Sequence, residues 1–528
     1  MTGAATRTRR PPSDRPVTAP SLPHPARDRA LILHVLAATL LAAALRAFHL
    51  GAQSLWVDEV FTWLSVDVGR PLHLAAVLEN VHGPLYGLIL HLWGDLAGDS
   101  EWALRAPSVV FGVAVVPALA WLAARWLGRQ TAIWAAWLAA GSPYLVWYSQ
   151  EARNYMLLIL CTCLAGAALL GSAQRPLARG LRAFGLIWVG LLTNFTFAML
   201  APLHLRWWLA DGPERGAHPP GLGRRLLVPL GAGAALLVLL SPWLPQVRLS
   251  MDWRRLGPRR PVAVEQAPLR GRTTFHAAGV PYALHVLAVG YTLGPSLREL
   301  RGGAPSAALG HHLPELAAVT LVFGILGIAG LAALARRRRL LDALLWFGVP
   351  VLMVSLFALR NFRVFHPRYL TVCVPLFLLV LAAGLAGLRR PVRIAAALGV
   401  ALLWTVSLAQ HYFDPRYAKD DYRGALGLVA ERGRAGEKVL AVGAREPIYY
   451  YYRGPLPVDP LWLGYVDQPR RLEQELDDKL AGARGTWVVL SRPEDLDPGG
   501  RFARTVEARY PRAEGFRFTG VRVWHLKS

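Results

Sequence analysis

The chain has 528 residues, of which 54% are hydrophobic and only 17% are charged, and its mean hydropathy is +0.32. This composition excludes an ordinary water-soluble enzyme, because apolar runs of about 20 residues, long enough to cross a bilayer, recur along the first 411 residues. The formal net charge of +24 does not indicate nucleic-acid binding, because the arginines are spread through the loops between these runs, as in the cytoplasmic loops of membrane proteins.

The basic clusters also set the predicted topology. Residues 1–29 are rich in Pro and Arg without an apolar face, so we expect a disordered basic tail in the cytoplasm. The transmembrane domain, residues 30–411, is predicted to cross the membrane eleven times. Its spans are 30–48, 103–124, 130–147, 155–172, two short spans within 183–210 that divide near "TNFT", 226–243, 314–335, 340–359, 367–388 and 394–411. A single span in 183–210 would place the "RRRR" cluster, 336–339, on the outer face, against the positive-inside rule.

This count predicts a multi-pass protein of the cell membrane with a cytoplasmic N-terminus and an extracytoplasmic C-terminus. Two long loops, 49–102 and 244–312, then face outward, and the first contains seven acids and one Arg. We interpret the apolar stretch 280–294 as lying in the membrane interface without crossing it. The three cysteines all lie inside apolar runs, which favours helix packing over a disulfide framework or a metal site.

The last segment, 414–528, has a soluble composition and alternates helix and strand patterns. The stretches "DYRGALGLVAERG" and "RRLEQELDDKLAG" predict helices, while "EKVLAVG", "GTWVVLS" and "FRFTGVRVWHL" predict strands. The alternation indicates a small extracytoplasmic α/β domain with a partly parallel sheet. The run of four tyrosines at 449–452 fits either a sugar-stacking surface or an ordinary strand with one buried face.

Two adjacent acids, Asp58 and Glu59, follow the first predicted span in the stretch "SLWVDEVFT". A carboxylate at bilayer height could take a proton from an acceptor that attacks a membrane-bound substrate. The alternative is that both acids are merely solvated at the interface, with the neighbouring tryptophans forming part of an aromatic belt.

Several motifs follow in order: "SLWVDEVFT", "HGPLYGLILHLWG", "SEWALRAPSVVFG" and "SPYLVWYSQEARNYMLL". Together they resemble the membrane glycosyltransferases of family 39, which include protein O-mannosyltransferases and lipid A aminoarabinose transferases and have the fold called GT-C. The resemblance is best over the first 175 residues or so, and "FHPRYLTVCVP" and the outward C-terminal domain are similar to bacterial members. It implies inverting transfer of a sugar from a polyprenyl-phosphate carrier at the outer face of the membrane.

The resemblance implies that Asp58 is the catalytic base, with Glu59 in the second position of the acid pair. It also places the "YSQEARNY" loop in the same cavity, which nominates Glu151, Arg153 and Tyr155 for binding substrate or phosphate. The further candidates are His366, Arg368 and Tyr369 in "FHPRY", and His82 and Tyr86 in "VHGPLYG". The arginines could instead reach lipid headgroups, and His82 could be a structural histidine. Family members often have His-Pro-Pro where this chain has His-Gly-Pro, which leaves the local backbone open.

The chemistry of the reaction agrees with this choice of residues. The leaving group is a phosphate, stable as an anion, so cations and hydrogen-bond donors matter more than a general acid. Carboxylates at 58, 59 and 151 could bind a divalent cation. However, the loop lacks the paired acids of the metal-dependent oligosaccharyltransferase branch, and we expect no obligatory metal or cofactor.

The predicted partners are a polyprenyl-phosphate sugar donor, an acceptor with a hydroxyl or amine, and the lipid bilayer. Two other functions stay open. A transporter or flippase for a lipid-linked saccharide would be expected to have more ionisable groups within its spans and an internal repeat. A non-catalytic scaffold would have no need for the acid pair.

Overall fold

The computed structural model of the protein describes residues 28–66, 83–170, 176–210, 222–250, 278–302, 305–359, 365–443, 445–461, 469–497 and 499–527. In this part of the chain a bundle of helices is followed by a small α/β unit. Of the predicted disordered tail, 1–29, only the last two residues are among those described.

The helices of the bundle are numbered α1 to α18 in chain order. They are α1 (Arg29–Ala47), α2 (Val57–Val66), α3 (Pro84–Ala97), α4 (Glu101–Trp126), α5 (Arg129–Gly141), α6 (Pro143–Ser149), α7 (Tyr155–Leu169), α8 (Pro176–Thr193), α9 (Ala201–Ala210), α10 (Leu222–Leu240), α11 (Leu244–Ser250), α12 (Gly279–Val289), α13 (Leu297–Gly302), α14 (Pro305–His311), α15 (Leu313–Arg336), α16 (Leu340–Leu359), α17 (Val374–Gly387) and α18 (Arg390–Phe413). Short 3₁₀ segments, Phe195–Leu200 and Pro367–Cys373, precede α9 and α17.

Six helices of the described residues are long and apolar enough to cross a membrane. These are α1, α4, α15, α16, the segment Pro367–Gly387 and α18. Many of their large apolar side chains are exposed, as expected of surfaces that face lipid. The prediction of a multi-pass helical membrane protein is therefore confirmed, while the count of eleven spans stays a prediction.

Two apolar stretches are interrupted at polar residues, and in the first of them a division near "TNFT" is predicted. Within 183–210 the helix stops before Asn194, whose side chain accepts a hydrogen bond from the Thr196 amide at 3.0 Å and so caps the next segment. The segment predicted as one span at 130–147 is divided between α5 and α6 at Ser142 and Pro143. The buried Arg46 of α1 donates to the last carbonyls of α5, those of Ala139 and Ala140. These bonds satisfy carbonyls that the helix end leaves without an internal partner.

The centre of the bundle is formed by α4, α5, α7 and the Pro367–Gly387 segment, whose residues are largely buried. Around them, α1, α15, α16 and α18 bury about a quarter of their length and expose the rest. The helix α12 covers most of the stretch we interpreted as interfacial, and it packs against α6 and α15 with one face buried.

The C-terminal unit is a five-stranded sheet with helices on both faces, which confirms the predicted α/β domain with a partly parallel sheet. Its elements are α19 (Tyr422–Arg432), β1 (Glu437–Val442), α20 (Glu446–Tyr451), β2 (Val458–Leu461), α21 (Pro469–Leu480), β3 (Gly485–Ser491), α22 (Pro493–Leu496), α23 (Arg501–Arg509), β4 (Glu514–Phe518) and β5 (Val521–Lys527). The strand order is β2-β1-β3-β5-β4, with β1 parallel to β2 and β3, and β5 antiparallel to β3 and β4. The central strand β3 is buried along its whole length.

Candidate active site

The acid pair lies at the start of α2, and we call residues 48–59 the acid loop. Asp58 and Glu59 occupy the first turn of α2, where the helix dipole favours negative charge. The carboxylate of Glu59 also accepts a hydrogen bond from the Trp56 amide at 3.3 Å, which satisfies a donor just before the helix. Local sequence therefore favours a helix start at these two acids.

Glu59 is fully buried and surrounded by donors. Its two oxygens receive Arg105 Nε at 2.8 Å and Nη2 at 2.9 Å, and Lys419 Nζ lies 3.0 Å from Oε2. The Ala152 amide donates to Oε1 at 2.9 Å. Burial raises the pKa of Glu59, but Arg105 and Lys419 more than reverse this effect and hold it well below its usual range. Glu59 is thus a permanently charged anchor for the acid loop.

Arg105 of α4 organises the loop around this anchor. Besides Glu59, its guanidinium donates to the carbonyls of Leu50 at 2.9 Å, Gln53 at 2.8 Å and Ser54 at 2.9 Å. A planar group with five N–H donors suits this task, because one side chain can satisfy several backbone acceptors at once. The turn before Asp58 is therefore held by a side chain from a membrane helix.

Asp58 points away from this anchor. Its Oδ2 lies 2.6 Å from Arg368 Nη1, and both side chains are about a quarter exposed. Arg153 is almost fully buried and binds the first turns of α2: its Nη1 donates to the Asp58 carbonyl at 3.1 Å and to Thr62 Oγ1 at 2.8 Å. The arrangement fixes the Asp58 backbone while leaving its carboxylate beside a cation.

The pair of Asp58 and Arg368 lies in the wall of a cavity of about 180 Å³. Charged and aromatic side chains dominate the wall, and they come from the bundle, from the segment after α18 and from the C-terminal domain. The lining residues are Trp56, Asp58, Trp147, Tyr148, Glu151, Tyr155, Tyr291, Ser296, Leu297, Arg298, His366, Arg368, Arg416, Tyr417, Ala418, Lys419, Asp420 and Arg492. A cavity of this composition can hold an anionic group beside a sugar.

Glu151 is a second carboxyl in the cavity wall, and only 1% of it is exposed. Trp147 Nε1 donates to its Oε1 at 2.8 Å, and Lys419 Nζ lies 4.0 Å from the same oxygen. Within the described part of the chain, its Oε2 has no hydrogen-bond partner. Burial raises the pKa of Glu151 to about 7, with Glu59 and Asp58 adding to the rise and Lys419 opposing it.

The structure brings together five of the ten residues chosen from the sequence. Asp58, Glu151, Tyr155, His366 and Arg368 all line the cavity. The ring nitrogen Nδ1 of His366 accepts from the Arg368 amide at 3.2 Å and so caps the 3₁₀ segment that carries Arg368.

The other five are placed differently. Glu59 and Arg153 lie behind the wall and hold the acid loop, and Tyr369 packs beside Arg368, with its ring centre 5.5 Å from the guanidinium carbon. Tyr86 is buried and bonds Ser108 Oγ at 2.8 Å, so it belongs to the helix packing. His82 lies outside the described residues.

Arg105 and Lys419 are contacts of the acid pair that the sequence reasoning missed. Arg105 could have been found, because an ionisable residue within an apolar helix requires a partner and suggests a functional contact. Nothing in the sequence indicates a functional role for Lys419, because it lies in a polar segment between α18 and α19, where a lysine is common.

The three carboxylates considered for a divalent cation do not form a metal site in the described residues. No group of three or more His, Cys, Asp or Glu side chains there is close enough together to hold an ion. The ammonium of Lys419 lies between Glu59 and Glu151, in the position that a shared cation would need. The residues present thus do not fit a metal bridging these acids.

Comparison with known proteins agrees with this architecture. Residues 81–245 match the family model described as dolichyl-phosphate-mannose-protein mannosyltransferase. The fold is similar to that of ArnT from Cupriavidus metallidurans bound to undecaprenyl phosphate, with a TM-score of 0.53, 16% identity, and coverage of 94% of this chain and 98% of that chain. It is also similar to the archaeal oligosaccharyltransferase AglB from Archaeoglobus fulgidus in complex with an inhibitory peptide and a dolichol-phosphate. That match has a TM-score of 0.52, 14% identity, and coverage of 95% of this chain and 74% of that chain.

No curated protein matches the sequence. The family match includes the motifs "HGPLYGLILHLWG", "SEWALRAPSVVFG" and "SPYLVWYSQEARNYMLL" but begins after the acid pair, and the fold agrees with it. The chain is a multi-pass membrane protein with the GT-C glycosyltransferase fold, and the resemblance inferred from its motifs is confirmed.

Proposed function

We propose that the protein is an inverting glycosyltransferase that moves a sugar from a polyprenyl-phosphate carrier to an acceptor hydroxyl or amine at the outer face of the membrane. The observation that carries the proposal is the pairing of the Asp58 carboxylate with the Arg368 guanidinium at 2.6 Å in the wall of one cavity. The undecaprenyl phosphate bound by ArnT and the dolichol-phosphate bound by AglB support a lipid phosphate as the sugar carrier here.

In the proposed reaction, Asp58 is the general base. The acceptor oxygen or nitrogen attacks the anomeric carbon from the face opposite the phosphate, and its proton passes to the Asp58 carboxylate. As the new glycosidic bond forms, the bond between the anomeric carbon and the phosphate oxygen breaks, and the electron pair leaves with the phosphate. Attack from the opposite face inverts the anomeric carbon.

Arg368 is proposed to hold the leaving phosphate. A guanidinium has five N–H donors, so Arg368 can bind a phosphate oxygen while it still contacts Asp58. The positive charge then lies where negative charge develops in the transition state. Tyr155 and the aromatic rings of Trp147 and Tyr291 line the same cavity and offer flat apolar surfaces to the sugar.

The test is sugar transfer by the purified protein in lipid vesicles, with Asp58→Asn beside wild type. The donor is a radiolabelled polyprenyl-phosphate sugar, and a membrane extract supplies acceptors. We expect wild type to form a labelled product and Asp58→Asn to be slower by about 10² to 10⁴, the range typical of a lost general base. The matched control is Asp477→Asn, which changes an exposed acid paired with Arg509 in the C-terminal domain.

Two outcomes would contradict the proposal. Equal rates for wild type and Asp58→Asn would remove Asp58 as the base. Label that crosses the bilayer on the unchanged lipid, without a new product, would favour the transporter or flippase instead.

A further inference from the structure

The tyrosine run of the C-terminal domain contacts the acid loop directly. Tyr451 of α20 accepts a hydrogen bond from the Leu55 amide at 2.5 Å, and its hydroxyl lies 3.1 Å from Glu101 Oε1. Tyr450 donates to the Asp99 carbonyl at 2.5 Å. The run lies in the helix α20 and not in a strand, but one face is buried as the second interpretation expects: Tyr450 is buried and Tyr449 is exposed. The buried face lies at an interface between the two domains.

The acid loop is also built into the core of the C-terminal domain. Val57, the residue before Asp58, is buried in one apolar cluster with Tyr422 and Leu426 of α19 and Ile448 of α20. Trp63, one and a half turns further along α2, packs edge-to-face on the Tyr450 ring, with centroids 5.0 Å apart. The helix that carries Asp58 therefore rests on the C-terminal domain by its apolar side.

The segment that joins the two domains adds a charge to the same loop. Lys419 is 7% exposed at its side chain, and its Nζ lies 3.0 Å from Glu59 Oε2 and 3.1 Å from the Gln150 carbonyl. The same ammonium is 4.0 Å from Glu151. One side chain thus ties the acid loop to the loop that carries Glu151.

We propose that the C-terminal domain is part of the catalytic apparatus, because it holds the acid loop in the conformation that presents Asp58 to the cavity. Tyr451 and Lys419 act as positioning residues, and neither is required to touch the reacting atoms. The kinetic consequence rests on the proposed role of Asp58 as base, whereas the docking itself does not.

The geometry explains why such docking would matter. Asp58 is flanked by Val57, held by the C-terminal core, and by Glu59, held by Arg105 and Lys419. A base must lie within hydrogen-bond reach of the proton it accepts, and a displacement of about 1 Å can cost about 10²-fold in rate. Loosening either flank therefore lowers the rate of the chemical step more than it changes binding of the donor phosphate at Arg368.

The mildest test is Tyr451→Phe, which removes one hydroxyl and keeps the ring. The matched control is Tyr449→Phe, two residues earlier in the same run, where the side chain is largely exposed. We expect Tyr451→Phe to lower kcat roughly tenfold, with the donor KM unchanged, and to speed amide hydrogen exchange in the acid loop. Tyr449→Phe should match wild type in both measurements.

A second pair of variants tests the charge. Lys419→Met leaves the buried Glu59 without one of its two cations, and it should lower kcat and speed exchange in both the acid loop and residues 150–154. Lys419→Arg, which keeps the charge, should recover part of the rate. Lys438→Met, which removes a lysine paired with Asp459 at 3.6 Å on the sheet, is the control.

Loss of protection in the acid loop with Tyr451→Phe and Lys419→Met, but with neither control, would support the docking. Unchanged exchange and unchanged kcat in both variants would overturn it. Exchange is measured without substrate, so it decides the docking even if wild type transfers no sugar. Absence of sugar transfer by wild type would count against the proposed function and not against the docking.

Discussion

Protonation of Glu151 changes the charge of the cavity wall that also contains Asp58. The groups facing it are Lys419, Glu59, Asp58 and Arg153, and the balance of burial and these charges raises its pKa to about 7. A carboxyl group is protonated below its pKa. Glu151 is therefore mainly neutral below about pH 7 and mainly charged above it. An anionic donor phosphate would thus enter a more positively charged cavity at lower pH.

We therefore expect the donor KM to rise by roughly tenfold between about pH 6 and pH 8, as the ionised Glu151 begins to repel the phosphate. Glu151→Gln keeps the shape of the protonated side chain and cannot ionise, so its donor KM should stay low and flat over this range. The measurement is the initial rate against donor concentration at several pH values. A Glu151→Gln profile that parallels wild type would assign the pH dependence to another group.

The sequence identifies the acid pair but not the different surroundings of its two members. Successive residues of a helix point about 100° apart, so Asp58 and Glu59 point towards different sides of α2. Asp58 faces Arg368, while Glu59 turns towards α4 and meets Arg105. Which acid faces which way depends on the phase of a short helix, and the flanking aromatic residues do not determine it.

At the scale of elements, two membrane helices approach closely through glycines. A Cβ atom at Gly330 of α15 would lie 2.0 Å from the Val380 carbonyl oxygen of α17, and one at Gly384 of α17 would lie 2.4 Å from the Leu326 carbonyl oxygen. Small residues at such contacts let backbones pack directly, which is a major source of helix association in membranes. This contact joins α15 to α17, the helix that directly follows the 3₁₀ segment with Arg368.

Gly330→Ala should therefore lower the thermal unfolding temperature in detergent, since the added methyl group would push α15 away from α17. We expect a loss of about 1–3 kcal/mol, the usual cost of overpacking. The matched control is Gly327→Ala on the same helix, because a Cβ atom at Gly327 would meet no other atom within 4 Å. A Gly330→Ala protein as stable as the Gly327→Ala protein would show that the two helices can separate without cost.

Elements were the most predictable level of this protein. Runs of apolar residues located α1, α15, α16 and α18 within a few residues, because length and hydropathy are sufficient to mark a span. The break of 130–147 into α5 and α6 was missed. A proline within an apolar run either kinks a helix or ends it. Here the helix ends, and Ser142 caps the start of α6 by accepting a hydrogen bond from the Leu145 amide at 3.4 Å.

Across the whole molecule, the site is assembled from residues far apart in the chain. Asp58 and Arg368 are 310 positions apart, and Glu59 and Lys419 are 360 apart. The motifs placed Arg368 through a family resemblance, but nothing local to Lys419 connects it with the acid loop. Contacts between domains depend on the tertiary fold, so a single sequence does not reveal them.

The orientation of the molecule in the membrane can be tested by cysteine labelling, because its native cysteines are buried. Cys161, Cys163 and Cys373 are all free and buried, so native background labelling by a membrane-impermeant maleimide should be low. The test uses two variants. Glu507→Cys lies on the exposed face of α23 in the C-terminal domain, and Arg336→Cys lies at the end of α15, in the arginine cluster 336–339 that is predicted to face the cytoplasm. Reagent added to intact cells should label the first variant at once and the second only after the membrane is permeabilised.

The expected orientation follows from the distribution of charge and from the contact between the two domains. Arg336 belongs to four consecutive arginines, which the positive-inside rule places in the cytoplasm, while the C-terminal domain contacts the acid loop and so lies on the same side as Asp58. Labelling of Arg336→Cys but not of Glu507→Cys in intact cells would reverse the orientation, and the donor would then have to be reached from the cytoplasm. Labelling of both would mean that the chain crosses the membrane an even number of times between residues 336 and 507, against the three crossings expected from α16, the Pro367–Gly387 segment and α18.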